Sequence, residues 1–292
     1  MPKPVKSPYL VPFDGSFRVE DAPTSPPKNA STKKELKKRL AELVEELSEL
    51  QRILYAHDHH AVLLVFQAMD AAGKDGTIRA ILSGVNPAGC QVVSFKQPSS
   101  EALDHDYLWR IAKALPERGR IGVFNRSHYE EVLVVRVHPE YLEGQKLSER
   151  PGSLDALWSE RHESIRAFER HLARNGTVIL KFWLNVSRDE QRERFLARLD
   201  EPEKNWKFSA SDVRERGHWD AYMRAYEDAL NATSCEDAPW YAIPADDKPY
   251  MRVAVAEIVV RALRDLGLEY PKVEQGERKR FDQMRALLES EP

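Results

Sequence analysis

Short apolar runs alternate with longer amphipathic stretches along most of this chain. The apolar runs are bounded by turn residues and cover residues 61–66, 91–95, 121–124, 177–186 and 240–243. Stretches of helix length occupy residues 74–82, 101–115, 154–174, 187–199, 218–232 and 248–267. Strands alternating with helices specify a parallel sheet covered on both faces, with ligands at the carboxyl ends of its strands. The pattern predicts an α/β fold with a parallel five-stranded sheet flanked by helices.

Leucines mark a further helix ahead of the first strand. Between Thr32 and Tyr55 they recur at intervals of four and three residues, at positions 36, 40, 43, 47, 50 and 54. This spacing predicts an amphipathic helix of about six turns. Its apolar stripe packs either on its own domain, which is the commoner arrangement, or on a second copy of the chain.

The chain divides into three segments. Residues 1–30 contain seven prolines and little periodicity, which predicts an extended N-terminal arm. Residues 31–268 hold the alternating pattern and form the predicted main domain. Residues 269–292 are highly charged and predict a peripheral C-terminal tail helix.

Composition narrows the class of protein and its location. The chain has 292 residues, enough for one large α/β domain with appendages. Its two cysteines indicate a reducing compartment, and we find neither a signal-peptide core nor a run of about 20 apolar residues. The formal charge of −3 gives no overall electrostatic footprint for nucleic acid. We expect a cytoplasmic protein with no nucleic-acid and no membrane partner.

The first apolar run leads into a glycine-lysine turn and then a helical stretch. In such a segment backbone N–H groups form an anion cradle, the helix adds its positive end, and Lys74 supplies a mobile charge. The alternative is an ordinary strand-to-helix turn with a solvated lysine. The apolar run before the turn favours a phosphate-binding P-loop. Its candidate phosphate-binding residues are Ala72, Gly73, Lys74, Asp75, Gly76 and Thr77.

This predicted P-loop departs from the usual G-x-x-x-x-G-K-[ST] pattern. Ala68 stands where glycine is usual, Asp75 stands where Ser or Thr is usual, and Asp70 adds a carboxylate within the loop. Carboxylates beside a phosphate site make sense mainly if they hold Mg²⁺, directly or through water. We therefore expect Mg²⁺ as the cofactor, with Mn²⁺ as a substitute, and Asp70 as a metal ligand.

The third strand ends in Asn125-Arg126. A planar guanidinium at this position can bind two phosphate oxygens and stabilise transferring charge. Asn125 replaces the Asp that usually holds Mg²⁺ in ATP-using P-loop enzymes, so Glu130 is the nearest candidate for the second metal carboxylate. A surface salt bridge is the alternative for Glu130. The predicted catalytic residues are thus Asp70, Lys74, Asn125, Arg126 and Glu130.

The segment after the second strand is where P-loop kinases of small molecules receive the phosphoryl acceptor. The candidate nucleotide-binding residues are Arg79, Phe95, Lys96, Gln97, Pro98, Tyr107 and Arg110. An alternative places Tyr107 on the buried stripe of a helix. For Arg110 and its neighbour Trp109, pocket wall and structural support remain equally open.

A cation-rich stretch follows the fourth strand. Arg194 and Arg198 share a helix face, and Pro202 then begins a loop that holds Lys204, Lys207 and the aromatic Trp206. The charge count alone would suit a solvated helix. This composition also suits a helical lid, at about residues 200–217, that closes cations over phosphates and excludes water.

Together these motifs resemble the second polyphosphate kinase family. The resemblance is carried by residues 68–77, AMDAAGKDGT, by residues 125–130, NRSHYE, and by Trp206-Lys207-Phe208 with Asp212 and Trp219. It implies a thymidylate-kinase-like P-loop fold with a helical lid, Mg²⁺ dependence, and assembly as a homodimer or homotetramer. It implies phosphoryl transfer between inorganic polyphosphate and nucleotides (AMP, ADP, ATP). The residues implied to line the polyphosphate channel are Arg194, Arg198, Lys204 and Lys207.

Asn125 in place of Asp resembles the subgroup that accepts AMP as well as ADP. Two other functions stay open. One is an ATP-dependent nucleoside monophosphate kinase, against which the cation-rich lid argues. The other is a non-catalytic P-loop protein that binds nucleotide or polyphosphate, which would not need metal ligands beside the transferring phosphate.

Overall fold

All five predicted strands form one parallel sheet. The computed structural model describes residues 3–147 and 152–291, apart from the side chains of Lys207, Gln275 and Lys279. The sheet has the order β2-β3-β1-β4-β5, and each strand runs parallel to its neighbours. The strands are β1 Ala61–Gln67, β2 Cys90–Ser94, β3 Ile121–Asn125, β4 Thr177–Asn185 and β5 Trp240–Pro244. The predicted fold class is confirmed.

Burial explains the continuous apolar runs. Every residue of β1, β3 and β5 is buried, because helices cover both faces of the sheet. β2 lies at one edge of the sheet, and Val92 at its centre is half exposed. Because β1 and β3 are parallel neighbours inside the sheet, their carboxyl ends lie together at its middle, where the P-loop begins.

The helices fill the intervals between strands. Those of the described residues are α1 Lys33–His57, α2 Lys74–Ile81, α3 Ser100–Leu103, α4 Trp109–Ala112, α5 Val134–Val137, α6 Leu154–Arg174, α7 Arg188–Asp200, α8 Ala210–Glu215, α9 Trp219–Thr233, α10 Lys248–Asp265 and α11 Gln275–Glu289. A 3₁₀ helix spans Pro202–Lys207. Within residues 3–147 and 152–291, no helix combines the length and the apolar character that a membrane span needs.

The leucine stripe of α1 packs within its own domain. Thr32 and Glu35 cap the helix reciprocally in a capping box, which fixes its start. Leu43, Leu47 and Leu54 are at most 1% exposed, and α1 lies along α10. The leucine stripe therefore belongs to the hydrophobic core of its own domain, which is the commoner of the two arrangements that the spacing allows.

The expectation of one helix over residues 101–115 is wrong. Two short helices, α3 and α4, stand there with an irregular link between them. The Asp106 carboxylate accepts the backbone N–H of Leu108 at 2.9 Å, a local bond that competes with helical pairing.

The N-terminal arm lies against the other edge of the sheet. Leu10 forms an antiparallel bridge with Tyr241 of β5, and the Val11 N–H donates to the Trp240 carbonyl at 2.9 Å. Val5 and Val11 are buried in the same contact. The arm thus pairs with an edge strand whose backbone groups would otherwise be open.

Candidate active site

The loop between β1 and α2 has the backbone of an anion cradle. Ala71 and Gly73 both take left-handed conformations, with φ of 61° and 111°. The φ of Gly73 favours glycine, and a Cβ there would also lie 3.1 Å from the Met251 methyl group, which would have to shift. The first turn of α2 is closed by Thr77, whose hydroxyl and backbone N–H both donate to the Gly73 carbonyl at 3.0 Å.

Lys74 folds back onto this loop. Its Nζ donates to the carbonyl oxygens of Ala68 at 2.7 Å and of Met69 at 3.4 Å. Burial lowers the pKa of the Lys74 ammonium, and the charge of Asp70 opposes that shift. A phosphate oxygen entering the loop would find this donor within a short side-chain movement.

Arg126 lies between two carboxylates at the end of β3. Its guanidinium donates to Asp70 Oδ1 at 2.7 Å, and Glu130 Oε2 lies 3.6 Å from Nη1. The charge of Glu130 raises the pKa of Arg126 against the opposing effect of burial. Burial raises the pKa of Glu130, which Arg126 and Lys74 counteract. Arg126 takes a left-handed conformation, with φ of 61°, in making this turn.

The two carboxylates suit Mg²⁺. Asp70 and Glu130 offer only oxygen donors and already surround one positive group, Arg126. Mg²⁺ commonly uses one or two carboxylates together with substrate phosphates and water. The donor set therefore fits the predicted metal.

Asn125 ties the end of β3 to the start of α2. Its amide Nδ2 donates to Asp75 Oδ1, and it lies 3.4 Å from the Ser94 hydroxyl. An aspartate at position 125 would place two carboxylates at hydrogen-bonding distance. Asn125 and Asp75, two of the departures from the usual patterns, are thus partners of each other.

The P-loop, Asn125 and Arg126 border a cleft of about 320 Å³, called here the P-loop cleft. On its far side, Arg198 Nη1 lies 3.3 Å from Asp212 Oδ2 and joins α7 to α8. Lys204, from the 3₁₀ helix, pairs with Glu201. The Lys207 side chain lies outside the described part of the structure. The residues lining the cleft are Asp70, Ala71, Gly73, Lys74, Asp75, Gly76, Asn125, Arg126, Arg194, Ala197, Arg198, Lys204 and Lys248.

Arg194, which the resemblance places in the polyphosphate channel, is among the residues that line the P-loop cleft. It is 7% exposed, and its Nη1 donates to the carbonyls of Ala71 and Ala72 at 3.0 and 2.6 Å. Its Nη2 donates to the carbonyls of Ala245 and Asp246, and its Nε donates to Glu190. Its five N–H groups thus join the P-loop to the segment after β5 and to Glu190, and none of them is left over for a phosphate.

A second pocket, of about 470 Å³, begins where the P-loop cleft ends. It is called here the 95–145 pocket, and Arg126 lines both cavities. Five of the predicted nucleotide-binding residues line it: Phe95, Lys96, Gln97, Pro98 and Arg110. The other two do not. Tyr107 packs on Arg161, and Arg79 is on α2, outside the described linings of both cavities.

Arg110 is fixed as part of the pocket wall. Its Nη1 donates to the Lys96 carbonyl at 2.8 Å, and its guanidinium lies 5.6 Å from the centre of the Phe95 ring. Trp109 instead stacks on His105, with ring centroids 3.9 Å apart. Of the two residues left open, Arg110 faces the pocket and Trp109 packs outside it.

Sequence reasoning missed two groups of lining residues. Lys248 lines the P-loop cleft, and residues 134–145 supply much of the wall of the 95–145 pocket. Lys248 follows the carboxyl end of β5 at the start of α10, a position that could have been noticed. The stretch 134–145 has no strong periodicity, and nothing in its residues signals a pocket.

A buried ionic network supports the turn that carries Arg126 and Glu130. Lys181, at the centre of β4 and fully buried, donates to Glu169 at 2.6 Å and to the Tyr129 hydroxyl at 2.8 Å. The Tyr129 hydroxyl in turn donates to Glu169 at 2.9 Å. Arg161 holds the next residue of the turn by donating to the Glu131 carbonyl at 3.0 Å. The turn is thus anchored to α6 and β4 on both sides of Glu130.

Fold and site together define a P-loop kinase. The sheet has a glycine-lysine turn at its centre and Arg126 after the end of β3. The Arg126 guanidinium lies between two cavities, the P-loop cleft and the 95–145 pocket. The chain belongs to the family described as Polyphosphate kinase 2, whose family model matches residues 30–270.

Similar proteins agree with that family. The chain is 58% identical, over 84% of its length and 85% of the relative's, to the ADP-polyphosphate phosphotransferase of Rhodopseudomonas palustris. It is 46% identical, over 93% of its length and 97% of the relative's, to the AMP/ADP-polyphosphate phosphotransferase of Meiothermus ruber. The crystal structure of Polyphosphate Kinase 2 from Arthrobacter aurescens superimposes with a TM-score of 0.83 at 36% identity, covering 96% of this chain and 99% of that one.

Proposed function

We propose that this protein transfers phosphoryl groups from inorganic polyphosphate to AMP and ADP, and that the reaction is reversible. The observation that carries the proposal is the position of Arg126, which lines both the P-loop cleft and the 95–145 pocket. Two relatives are named ADP-polyphosphate phosphotransferase and AMP/ADP-polyphosphate phosphotransferase. The donor then occupies the P-loop cleft, and the acceptor nucleotide occupies the 95–145 pocket.

In the proposed reaction an oxygen of the acceptor's terminal phosphate attacks the last phosphorus of the polyphosphate. The bridging P–O bond breaks, and the shortened polyphosphate leaves with the electron pair. Lys74 and Arg126 neutralise charge on the transferring group, and the enclosing cavities hold donor and acceptor in line. No covalent enzyme intermediate is required.

Asp70 and Glu130 would hold Mg²⁺ in this scheme. The bound ion supplies positive charge beside the phosphates, as P-loop kinases generally require. Both carboxylates now pair with Arg126, so metal binding would free its guanidinium for phosphate oxygens.

We further propose residues 1–30 as an arm, residues 31–268 as the kinase domain, residues 200–217 as its lid, and residues 269–292 as a tail. The family model covers nearly the same central range. Cytoplasmic location, assembly as a homodimer or homotetramer, and the absence of nucleic-acid and membrane partners stay predictions from the sequence.

An acceptor assay tests this proposal. The pure protein is incubated with Mg²⁺, long-chain polyphosphate and either AMP or ADP, without ATP, and the nucleotides are separated by chromatography. We expect AMP to give ADP and then ATP. Consumption of ADP alone would contradict the AMP part, and activity that needs ATP as the donor would instead favour an ATP-dependent monophosphate kinase.

A further inference from the structure

Three cations lie along α10 and α2, leading out of the P-loop cleft. Lys248 lines the cleft, and Arg252 lies one turn later on the same face of α10. Arg252 Nη2 is 3.3 Å from the point where a Cβ on Gly76 would stand, so this guanidinium covers the first turn of α2. Arg79 is one turn beyond Gly76. These three side chains, Lys248, Arg252 and Arg79, are called here the cation track.

The cation track is only partly neutralised: the charge of Glu190 opposes the lowering of the Lys248 pKa by burial, while Arg252 has only the like charge of Arg79 near it. Within residues 3–147 and 152–291, no side chain forms an ion pair or hydrogen bond with any of the three. Arg252 Nε is buried without a hydrogen-bond acceptor. Burial lowers the pKa of Arg252, and the charge of Arg79 lowers it further. Like charges held close together raise the free energy of the empty protein unless an anion offsets them.

A solvated helix face is the ordinary explanation for surface cations. It accounts poorly for this group, because a solvated arginine would not bury its Nε without an acceptor. Elsewhere on α10, Arg264 is paired with Glu46, as surface cations of this chain commonly are. The cation track differs in two respects: Arg252 buries its Nε without an acceptor, and the track begins inside the P-loop cleft.

We propose that the cation track binds the distal phosphates of the polyphosphate donor, beyond those held in the P-loop cleft. This inference rests on the proposed function. A chain of regularly repeated phosphates is the ligand whose charge matches a row of cations, and the planar arginine fork binds two phosphate oxygens at once. None of the three side chains lines the 95–145 pocket, where the nucleotide is proposed to bind, so the track extends the donor side of the site.

The test compares donors of different length. The variants are Arg252→Gln, Arg79→Gln and their combination, and the matched control is Arg261→Gln, an exposed arginine on α10 that lines a different surface hollow. The Michaelis constant is measured for tetraphosphate, for long-chain polyphosphate and for ADP. We expect Arg252→Gln to raise the constant for long-chain polyphosphate about tenfold, as loss of a charged hydrogen-bond pair does. The constants for tetraphosphate and ADP, and all those of the control, stay unchanged.

Calorimetry on the same proteins, with long-chain polyphosphate alone as the probe, separates this inference from the proposed function. The wild type should bind more tightly and with a steeper salt dependence than Arg252→Gln, because more charges are screened. An equal rise of the Michaelis constants for tetraphosphate and long-chain polyphosphate in Arg252→Gln would overturn the inference. A rise confined to the constant for ADP would overturn it as well. A wild type that binds polyphosphate but transfers no phosphate from it would contradict the proposed function, while the comparison of binding still decides the cation track.

Discussion

At the scale of single side chains, the variant Asp70→Asn tests whether the carboxylates beside Arg126 take part in phosphoryl transfer. Asp70→Asn keeps the size of the side chain and a hydrogen bond to Arg126 but removes a charge from the proposed metal site. We expect turnover to fall at least about a hundredfold, because charge neutralisation at the transferring phosphate is weakened. The steady-state rate at saturating Mg²⁺ measures this.

The matched control is Asp189→Asn, an aspartate whose side chain is 84% exposed on α7. It should leave turnover and the unfolding temperature unchanged. Full activity of Asp70→Asn at saturating Mg²⁺ would show that Asp70 only shapes the loop.

Asn125 and Asp75 form a pair that can be exchanged. Asn125→Asp alone would set two carboxylates against each other, and we expect a loss of about 1 kcal/mol in unfolding free energy and weaker use of AMP relative to ADP. The exchanged protein, Asn125→Asp with Asp75→Asn, restores one amide-carboxylate hydrogen bond. Denaturant unfolding should therefore show recovery of stability in the double variant.

Acceptor use is the separate readout of the exchange. If the amide at position 125 itself favours AMP, the double variant stays poor with AMP although its stability returns. Equal use of AMP and ADP by the wild type and both variants would remove Asn125 from any account of acceptor choice.

Within α7, two arginines one turn apart have different surroundings. Arg194 is enclosed by carbonyl groups, whereas Arg198 lines the P-loop cleft and pairs with Asp212 of α8. Arg194→Ala should cost about 3 kcal/mol of stability, because buried carbonyls and Glu190 lose their donor. Arg198→Ala should change stability by only about 0.5 kcal/mol and raise the Michaelis constant for polyphosphate more than that for ADP.

Thermal unfolding and steady-state kinetics on the same two proteins measure this contrast. A stable Arg194→Ala protein with weakened polyphosphate use would restore the role that the sequence predicted for Arg194. Lys207→Ala is expected to behave like Arg198→Ala.

The sequence predicts strands better than it predicts side-chain partners. Apolar runs and turn residues are local, so the five strands and the P-loop could be read directly. The partners of Arg194 come from residues 71–72 and 245–246, which no spacing on α7 reveals. The break before Trp109 depends on one side-chain bond from Asp106. The 95–145 pocket depends on the tertiary position of an aperiodic segment, residues 134–145.

Across the whole molecule, the buried network links the sheet, α6 and the turn that carries Arg126. Lys181→Met leaves Glu169 in the core without its ammonium partner, with only the Tyr129 hydroxyl and the His128 ring beside it, and we expect a loss of about 3–5 kcal/mol in unfolding free energy. Adding Glu169→Met removes that carboxylate and should recover much of that loss. Denaturant unfolding of both single variants and the double variant measures the coupling.

Activity distinguishes support of the site from support of the fold. If the network positions the turn, the double variant regains stability but keeps a lowered turnover, because the Tyr129 hydroxyl has lost both partners. Full turnover in a stable double variant would limit the network to folding.

The transfer of isotopic label tests the central claim most directly. Polyphosphate uniformly labelled with ³²P is incubated with ADP and Mg²⁺ in the absence of ATP, using the wild type and Lys74→Ala. We expect ATP labelled in its γ-phosphate from the wild type, and at least about a hundredfold less label transfer from Lys74→Ala, because the variant lacks the mobile charge of the P-loop. Unlabelled ATP, no ATP, or equal label transfer by both proteins would contradict the account.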